Sequence, residues 1–400
     1  MSLDSYKDAC GLFEKLYPET AKAVSLPQVL TPTLISPHTL TLPKKVLEQA
    51  KAVVRGFFEL RENENYVAHV EVQRSGDLAL NKNFSALMSY DFHLNENNEL
   101  KLIEINTNAS SSLIVDLQYN RAKLTSPLGL DFKSVIIETF RDEYKLSGLP
   151  HDLKTIAIID HLPLQQKMYV EFLMYAELFR KAGFEVIIDD SSAFTNSSDN
   201  KLVHSSGKTI DLVYNRHTDF YLLTSECAPM REAYRSLTTC FSPNPREYAL
   251  LADKQRLQEI SKDGFLETMG ISQDAINSIR GCLLKTYSLH EFTREDAWAQ
   301  RKKFFFKPAR AFGGKAAYKG ASISRGPFEQ LWEGDTIAQE FVPAPEIMLP
   351  TAEGPQQKYK FDLRFYAYKD KIQLCNARVY QGQTTNATTP GGGLTPIIFN

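Results

Sequence analysis

The chain has 400 residues, of which 43% are hydrophobic and 24% are charged, and its formal net charge at pH 7 is -2. This length and apolar content suffice for two or three hydrophobic cores, because single cores stop growing at roughly 250–300 residues. The near-neutral charge gives no electrostatic argument for nucleic acid or an anionic membrane as a partner. The sequence also lacks an apolar run near the roughly 20 residues that span a bilayer, and it does not begin with a signal-peptide pattern.

The cysteines are scattered and odd in number, and none belongs to a CxxC pair: Cys10, Cys227, Cys240, Cys282 and Cys375. Reduced, mostly buried thiols explain this usage better than a disulfide framework or a zinc site. We therefore expect a cytoplasmic protein.

The first 150 residues predict helices and one hairpin. A short helix is expected from Ser5 to Leu16, and the Pro- and Thr-rich run VSLPQVLTPTLISPHTLTLP, residues 24–43, is expected to be an extended arm that wraps a neighbour. Pro43 then opens a helix over residues 44–60, since proline suits the first turn and the apolar residues recur at helical spacing. Next, ALMSYDFHL and LKLIEINT flank the turn NENNE and predict a β-hairpin, and residues 133–147 predict another helix.

From Lys154 onward strands and helices alternate. The runs KTIAIIDH, FEVIIDD and TIDLVYNRH predict strands, and a helix that closes at Gly183 lies between the first two. This alternation predicts a parallel α/β layer. Residues 227–300 are expected to be mostly helical, and FFFKP, DTIAQEFV, KFDLRFYAYK and DKIQLCNARVYQ predict further strands.

Three oxygen donors occur in the predicted hairpin: Asp91, Glu104 and Asn106. Glu104 and Asn106 are two residues apart in one strand, so their side chains share a face, and Asp91 can lie opposite them. Carboxylate and amide oxygens are the ligands that Mg²⁺ takes. The alternative is a solvated hairpin edge, but the alternating apolar neighbours predict that one face is buried and favour a cleft.

Two downstream segments have features of a nucleotide site. Lys307 ends a strand that runs into a glycine-rich loop, Gly313-Gly314-Lys315, whose backbone can approach phosphates. This is not a Walker A sequence, and a plain turn is an equal alternative. The strand end Gln339-Glu340-Phe341-Val342 can offer backbone groups to an adenine edge, although such a tetrapeptide is more often a core strand.

The last predicted strands contain charged residues. Asp362 and Arg364 share a strand face and are expected to pair with each other in a structural salt bridge. Arg378 precedes a loop with Asn386 and the triple glycine 391–393. We expect Arg378 to stabilise charge on a transferring phosphoryl group or an acyl phosphate.

Taken together, these segments resemble the ATP-grasp superfamily. MSYDFHLNENNELKLIEINTNAS is similar to its metal hairpin, FFFKPARAFGGKAAYKG to its lysine and phosphate lid, TIAQEFV to its adenine hinge, and the final strands to its arginine-glycine segment. In most members the metal hairpin comes last, so the order here resembles the circularly permuted glutathione synthetases of eukaryotic type and, more loosely, glutathionylspermidine synthetases. Neighbouring chain termini make such a permutation tolerable.

The resemblance implies an α/β (α+β) ATP-grasp fold with an inserted parallel α/β substrate domain. The expected units are a hairpin-bearing unit (1–150), the insertion (151–245) and the lid, hinge and remaining core (246–400). It also implies a role for each motif residue. Mg²⁺ would bind Asp91, Glu104 and Asn106, and Arg364 and Arg378 would be catalytic. ATP would contact Lys254, Lys307, Gly313, Gly314, Lys315, Gln339, Glu340, Phe341, Val342, Asn386 and Gly392. Substrate would contact Ser110, Ser111, Asn215 and Arg216.

Two positions depart from the family pattern, because Ser89 replaces an expected substrate-binding arginine and Ala311 replaces an expected metal-binding glutamate in the lid. The resemblance therefore implies a general reaction and not glutathione as its product. That reaction is the joining of a small carboxylic acid or peptide to an amine, with ADP and phosphate released. A phosphotransferase on the same scaffold and a non-catalytic ATP-binding relative are the alternatives. Small molecules are the expected partners, without nucleic acid or membrane, and a homodimer stays open.

Overall fold

The computed structural model describes residues 3–74, 78–309, 317–351, 354–386 and 388–400, and its fold is mixed α/β. The helices are α1 (Leu3–Leu16), α2 (Pro18–Ala23), α3 (Leu26–Val29), α4 (Lys44–Glu62), α5 (Glu64–Gln73), α6 (Ser112–Arg121), α7 (Phe132–Ser147), α8 (Tyr169–Lys181), α9 (Ala228–Arg235), α10 (Pro245–Glu247), α11 (Gln255–Ile260), α12 (Phe265–Met269), α13 (Gln273–Cys282), α14 (Arg294–Gln300) and α15 (Arg325–Gln330).

The strands are β1 (Leu40–Leu42), β2 (Met88–Leu94), β3 (Leu100–Asn106), β4 (Thr155–Asp160), β5 (Glu185–Asp190), β6 (Phe194–Asn196), β7 (Leu202–His204), β8 (Leu212–Asn215), β9 (Cys240–Ser242), β10 (Thr286–Ser288), β11 (Phe304–Pro308), β12 (Tyr318–Lys319), β13 (Thr336–Glu340), β14 (Glu346–Leu349), β15 (Gln357–Tyr368), β16 (Lys371–Tyr380), β17 (Gly393–Thr395) and β18 (Ile397–Phe399). The helices predicted near α1, α4, α7 and α8 are confirmed.

The central sheet is antiparallel and has the strand order β17-β16-β15-β2-β3, with β14 paired to β15. It confirms the predicted hairpin of β2 and β3. Asp91 pairs with Glu104 on one side and with Arg364 on the other, and a bulge follows Asp91. The register thus unites residues that lie more than 250 positions apart in the sequence. Bulges commonly reorient side chains near functional sites.

A second sheet is parallel and has the order β5-β4-β8-β9. It confirms the parallel α/β layer that the alternation of strands and helices predicts. Its edge strand β9, Cys240–Ser242, was not predicted and interrupts a segment that was expected to be helical. Three residues are too few for a period to show in the sequence, and only pairing with β8 makes this segment a strand.

The small antiparallel sheet consists of β10, β13, β11 and β12 in that order. It has a core of its own, formed by residues such as Phe304, Phe306 and Phe328, against which α14 and α15 pack. Its strands β11 and β13 carry Lys307 and Gln339, so this sheet places the predicted phosphate and hinge segments.

The N-terminal arm corrects one prediction, because it is not extended throughout. The short helix α3 interrupts it and α2 directly precedes it, and Pro18 and Pro27 lie in the first turns of α2 and α3. Proline is well suited to that position, which is why a proline-rich run can be helical. The arm ends in β1, which pairs in parallel with β18 near the C-terminus. It therefore packs on its own chain.

Two large cores lie on opposite faces of the central sheet. One joins α4, α5 and α13 to residues such as Phe92 and Phe365. The other joins α1, α6, α7 and α8 to the parallel sheet and is continuous across residue 150. The predicted unit limits at 150 and 245 stay a prediction. In the parts of the chain that the structure describes, no helix is both long and apolar enough to cross a membrane.

Candidate functional site

A cleft of about 1940 Å³ opens between the central sheet, the small antiparallel sheet and one edge of the parallel sheet. Many of the residues singled out in the sequence line it: Glu104, Asn106, Ser110, Arg216, Lys254, Lys307, Gln339, Glu340, Phe341, Val342, Asp362, Arg364 and Arg378. The fold thus gathers residues from most of the chain at one place. Burial beneath or beside this cleft also explains the unusual electrostatics of several of them.

Asp91 lies at the base of this site between two arginines. Its Oδ1 accepts from Arg364 Nε at 2.8 Å and from Ser89 Oγ at 3.4 Å. Its Oδ2 accepts from terminal guanidinium nitrogens of Arg364 at 2.6 Å and Arg378 at 2.8 Å. A carboxylate offers about four lone-pair directions, and four donors occupy them here.

This pairing keeps Asp91 charged although its side chain is only 1% exposed. Burial alone would raise the pKa of this carboxyl, but Arg364 and Arg378 outweigh burial and lower it to about 2. With its acceptor directions filled, Asp91 is poorly placed to bind a metal directly in this arrangement. Its predicted role as a metal ligand stays a prediction, whereas its contacts are those of a fixed counter-charge that orients two arginines.

The expected pairing of Asp362 with Arg364 is corrected. Asp362 instead accepts from Arg378, with Nε to Oδ1 at 2.7 Å and a terminal nitrogen to Oδ2 at 2.9 Å, and Thr385 also donates to it. Arg364 turns to Asp91 on the neighbouring strand. Cross-strand neighbours are closer than residues two apart along one strand, which explains the exchange of partners. Asp91 and Asp362 together hold Arg378 from two sides.

Glu104 and Asn106 are the more open oxygen donors. Asn106 Nδ2 lies 3.4 Å from Glu104 Oε1, and Lys254 Nζ lies 3.9 Å from Glu104 Oε2. Burial acts to raise the pKa of Glu104, but Lys254 and Lys307 outweigh it and the pKa is lowered. An ionised carboxylate and a neighbouring side-chain amide can both supply oxygen ligands to Mg²⁺, which keeps its other positions for water and phosphate.

Lys307 lies on β11 with its ammonium held near the hinge. Its Nζ donates to Ile103 O at 3.0 Å and to Gln339 Oε1 at 2.9 Å. Burial, reinforced by the charge of Lys254, lowers the pKa of Lys307 to about 8, although Glu104 acts in the opposite direction. Such a cation lacks full charge compensation and would be stabilised by an anionic group in the cleft.

The hinge segment leaves β13 at Glu340 and continues along the cleft wall. Glu340 N donates to Lys285 O and Phe341 N donates to Lys303 O, so the residues that directly precede β10 and β11 fix the backbone here. His93 Nδ1 donates to Val342 O at 3.1 Å, and its pKa is lowered by burial. His93 also lines the cleft and was missed in the sequence. Its place two residues after Asp91 in β2 was the available signal.

On the substrate side, Arg216 is buried and donates to Ala109 O at 3.1 Å and Tyr214 Oη at 3.3 Å, while its Nε has no hydrogen-bond partner among the described residues. Ser110 O accepts from Tyr366 Oη at 2.7 Å. The Ser111 backbone N–H is bound to Glu171 instead, and Asn215 Oδ1 accepts from His217 N.

Other predicted residues have local partners or lie outside the described part. Asn386 Nδ2 donates to Gln381 O and Thr384 O and so closes its own turn. Gly392 lies so close to Val379 O that a Cβ would be 2.5 Å from it, which makes it a packing glycine. The predicted lid residues Gly313, Gly314 and Lys315, and also Ala311, fall outside the described residues.

The architecture, with a cleft between two antiparallel sheets and a further parallel α/β layer, confirms the predicted α/β fold and is similar to that of a solved glutathione synthetase-like protein. A glutathione synthetase-like effector from Globodera pallida, in its apo form, has a TM-score of 0.60 and 12% identity over 100% of this chain and 97% of that chain.

A candidate gamma-glutamylcysteine synthetase from Methylobacillus flagellatus matches 85% of this chain and 86% of its own at 12% identity, with a TM-score of 0.43 that is too low to carry an argument. No protein-family model and no curated protein sequence matches the chain. At these identities the comparisons define the fold alone, and the circular permutation stays a prediction.

Proposed function

We propose that this protein is an ATP-dependent carboxylate–amine ligase that forms an amide with release of ADP and phosphate. One observation supports this most strongly. Oxygen donors (Glu104, Asn106), lysines (Lys254, Lys307), a hinge strand and a doubly held arginine (Arg378) line the same cleft. Each of these groups suits one part of a phosphoryl-transfer site, and their convergence comes from distant segments of the chain. The proposed partners are a small carboxylic acid or peptide and an amine.

Glu104 and Asn106 are the residues that we propose to hold Mg²⁺. When bound, the ion would neutralise phosphate charge and orient the transferring group. Lys254 and Lys307 would bind the phosphates, and residues 339–342 would bind the base. The expected contacts of Gly313, Gly314 and Lys315 with the phosphates stay a prediction. We place Asp91 behind this set, where it fixes Arg364 and Arg378 while Glu104 remains accessible to the ligand.

Arg378 is the residue best placed to act on the reacting carboxylate. Two carboxylates, Asp91 and Asp362, fix the guanidinium, yet the side chain remains 22% exposed toward the cleft. In the proposed reaction an acid is phosphorylated on its carboxylate and an amine then displaces the phosphate. A fixed guanidinium stabilises the oxygen charge that develops in both steps. Ser110 and Arg216 border the proposed acceptor side.

The test is a screen of carboxylic acids against amines with Mg²⁺ and ATP, in which ADP and the amide product are measured. We expect amine-dependent ADP release and, when hydroxylamine replaces the amine, a hydroxamate. Glu104→Gln should abolish both, because it removes the charged oxygen donor. Glu99→Gln is the matched control, since Glu99 lies at the exposed turn of the same hairpin.

Three results would contradict the proposal. ADP release that needs a hydroxyl acceptor and gives no hydroxamate would indicate a phosphotransferase. Binding of ATP without turnover across the screen would indicate a non-catalytic relative. Turnover unchanged in Glu104→Gln would remove the proposed metal site.

A further inference from the structure

A cluster of histidines and carboxylates lies beside the cleft, outside the proposed nucleotide site. His161 directly follows β4, His217 follows β8 by two residues, and Asp190 ends β5. These are the carboxyl ends of adjacent parallel strands, the edge at which α/β sheets usually bind ligands. The neighbours in sequence, Asp160 and Arg216, line the cleft itself. The cluster therefore lies immediately next to the proposed acceptor side.

The distances between the ligand atoms match those of a metal site. Glu226 Oε1 lies 3.3 Å from His217 Nε2 and 3.6 Å from His161 Nδ1, and the three atoms all lie within 4.8 Å of one another. In a tetrahedral zinc site with bonds of about 2.0–2.1 Å, adjacent ligand atoms are about 3.3 Å apart. Small side-chain movements would thus bring all three atoms into coordination distance.

The surrounding structure holds these groups in place. The His217 side chain is only 5% exposed, and its backbone N–H donates to Asn215 Oδ1 at 3.1 Å. Asp190 Oδ2 lies 3.8 Å from His161 Nδ1 and is itself fixed by Leu162 N at 2.6 Å. Asp190 Oδ2 faces the same ring nitrogen of His161 that would bind the metal, so this carboxylate could supply a fourth ligand.

We propose that His161, His217 and Glu226 bind a divalent transition-metal ion, for which Zn²⁺ is the best match. Imidazole nitrogen with a single carboxylate suits zinc, whereas Mg²⁺ prefers an all-oxygen set such as Glu104 and Asn106. Three protein ligands leave one position for water, for Asp190 or for a group of the acceptor substrate. The site is separate from the proposed Mg²⁺ site and does not depend on ligase activity.

Metal binding has one structural requirement at His217. In the present arrangement Asp219 N donates to His217 Nδ1 at 3.0 Å, so the ring proton of the neutral histidine is on Nε2, facing Glu226. Coordination through Nε2 moves that proton to Nδ1. The Asp219 amide must then leave Nδ1, and its NMR resonance should shift on titration with Zn²⁺.

Cys227 is a neighbour but not a proposed ligand. Its Sγ lies 3.7 Å from the His217 ring, but it does not belong to the group of ligand atoms that all lie within 4.8 Å of one another. Cys227→Ser should therefore keep the metal.

The experiment is equilibrium dialysis of the chelator-stripped full chain against Zn²⁺, with bound metal measured by mass spectrometry. We expect one Zn²⁺ per chain and a loss of affinity of at least about 100-fold in His161→Ala and Glu226→Ala, since even outer-shell changes weaken metal binding 10–100-fold. Both side chains are substantially exposed, so these variants should fold, which unfolding without metal verifies. His151→Ala is the control, because that histidine bonds Asp211 at the opposite, amino-terminal edge of the same parallel sheet.

Several results would overturn the proposal. Less than one Zn²⁺ per wild-type chain at saturation would remove the site. Equal affinity in His161→Ala and His151→Ala would show binding elsewhere. Loss of the metal in Cys227→Ser with retention in Glu226→Ala would assign a different ligand set.

Discussion

Asp91 and Glu104 face each other across one strand pair, yet we expect their substitution to change the free energy of unfolding to different extents. Asp91→Asn leaves Arg364 and Arg378 without their buried counter-charge, so the free energy of unfolding should fall by about 3–5 kcal/mol. Glu104→Gln should change it by less than about 1 kcal/mol, because Glu104 is 30% exposed and its nearest cation is 3.9 Å away. Urea unfolding of both variants at pH 7 measures the difference.

The pH dependence provides a control for this prediction. The pKa of Asp91 is lowered in the folded state, so its stabilisation is present above the unfolded pKa of about 3.9 and is lost as the pH falls toward about 2. The gap between wild type and Asp91→Asn should therefore close over that range. A constant gap would mean that Asp91 stabilises the fold by something other than its charge.

From the lowered pKa of Lys307 we predict that the affinity for nucleotide depends on pH. Its pKa of about 8 means that the ammonium is present in the free protein below pH 8 and is progressively lost above it. Affinity for Mg²⁺-ATP should therefore be constant below pH 8 and fall by up to about tenfold per pH unit above it. Calorimetric titrations between pH 7 and 9.5 would measure this.

Lys307→Arg is the informative comparison, because an arginine stays charged over the whole range. Its affinity, even if lower, should lose this decline. A decline of the same size in wild type and Lys307→Arg would assign the pH dependence to another group.

At the scale of elements, Gly393 joins the N-terminal arm to the central sheet. Its φ is +106°, and a Cβ there would lie 2.5 Å from Leu34 O, while Leu394 N donates to that same oxygen at 2.8 Å. Gly393→Ala should lower the free energy of unfolding by roughly 1–3 kcal/mol from backbone strain, with the clash added. Thermal and urea unfolding measure the loss.

Gly11→Ala is the control for this substitution. Gly11 lies within α1 and a Cβ there would meet nothing within 4 Å, so alanine should be neutral or stabilise by up to about 1 kcal/mol. Similar destabilisation by both substitutions would argue against a specific role of the close approach at Gly393.

The sequence predicts those helices and strands in which apolar residues recur over enough positions to reveal a helical or strand period. The helix α4, the hairpin of β2 and β3 and the parallel strands β4, β5 and β8 all have clear apolar patterns. The three-residue strand β9 and the helical turn α3 of the proline-rich arm could not be predicted, because pairing and packing with distant segments form them.

The sequence predicts which residue types line the site, but it does not predict which charged side chains pair with each other. Lys307, Glu104 and Arg378 do lie along one cleft. The sequence could not reveal that Arg364 turns to Asp91 while Arg378 bridges Asp91 and Asp362, because strand register decides which charges meet. His93 was missed for a different reason, since its partner Val342 lies in the distant segment that follows β13.

At the scale of the whole molecule, the small antiparallel sheet differs from the central sheet in how it is stabilised. Its buried apolar residues form a separate and smaller core, whereas both larger cores include the central sheet. Fewer buried contacts give a lower free energy of local opening. Amides of β11 and β13 should therefore exchange with solvent hydrogen faster, and with a lower opening free energy, than those of β15 and β16.

Bound nucleotide should reduce the difference in opening free energy between the two sheets. Lys307 and the hinge belong to the small sheet, whereas Glu104 belongs to the central sheet. A ligand that contacts both stabilises the arrangement in which they are close. Hydrogen exchange with and without Mg²⁺-ATP should show protection gained mainly in β11 and β13 and little change in β16. In Glu104→Gln the gain should be reduced, since the metal-dependent contact to the central sheet is lost. Uniform protection across the chain would contradict a small sheet that opens separately, and protection that is unchanged in Glu104→Gln would place the metal elsewhere.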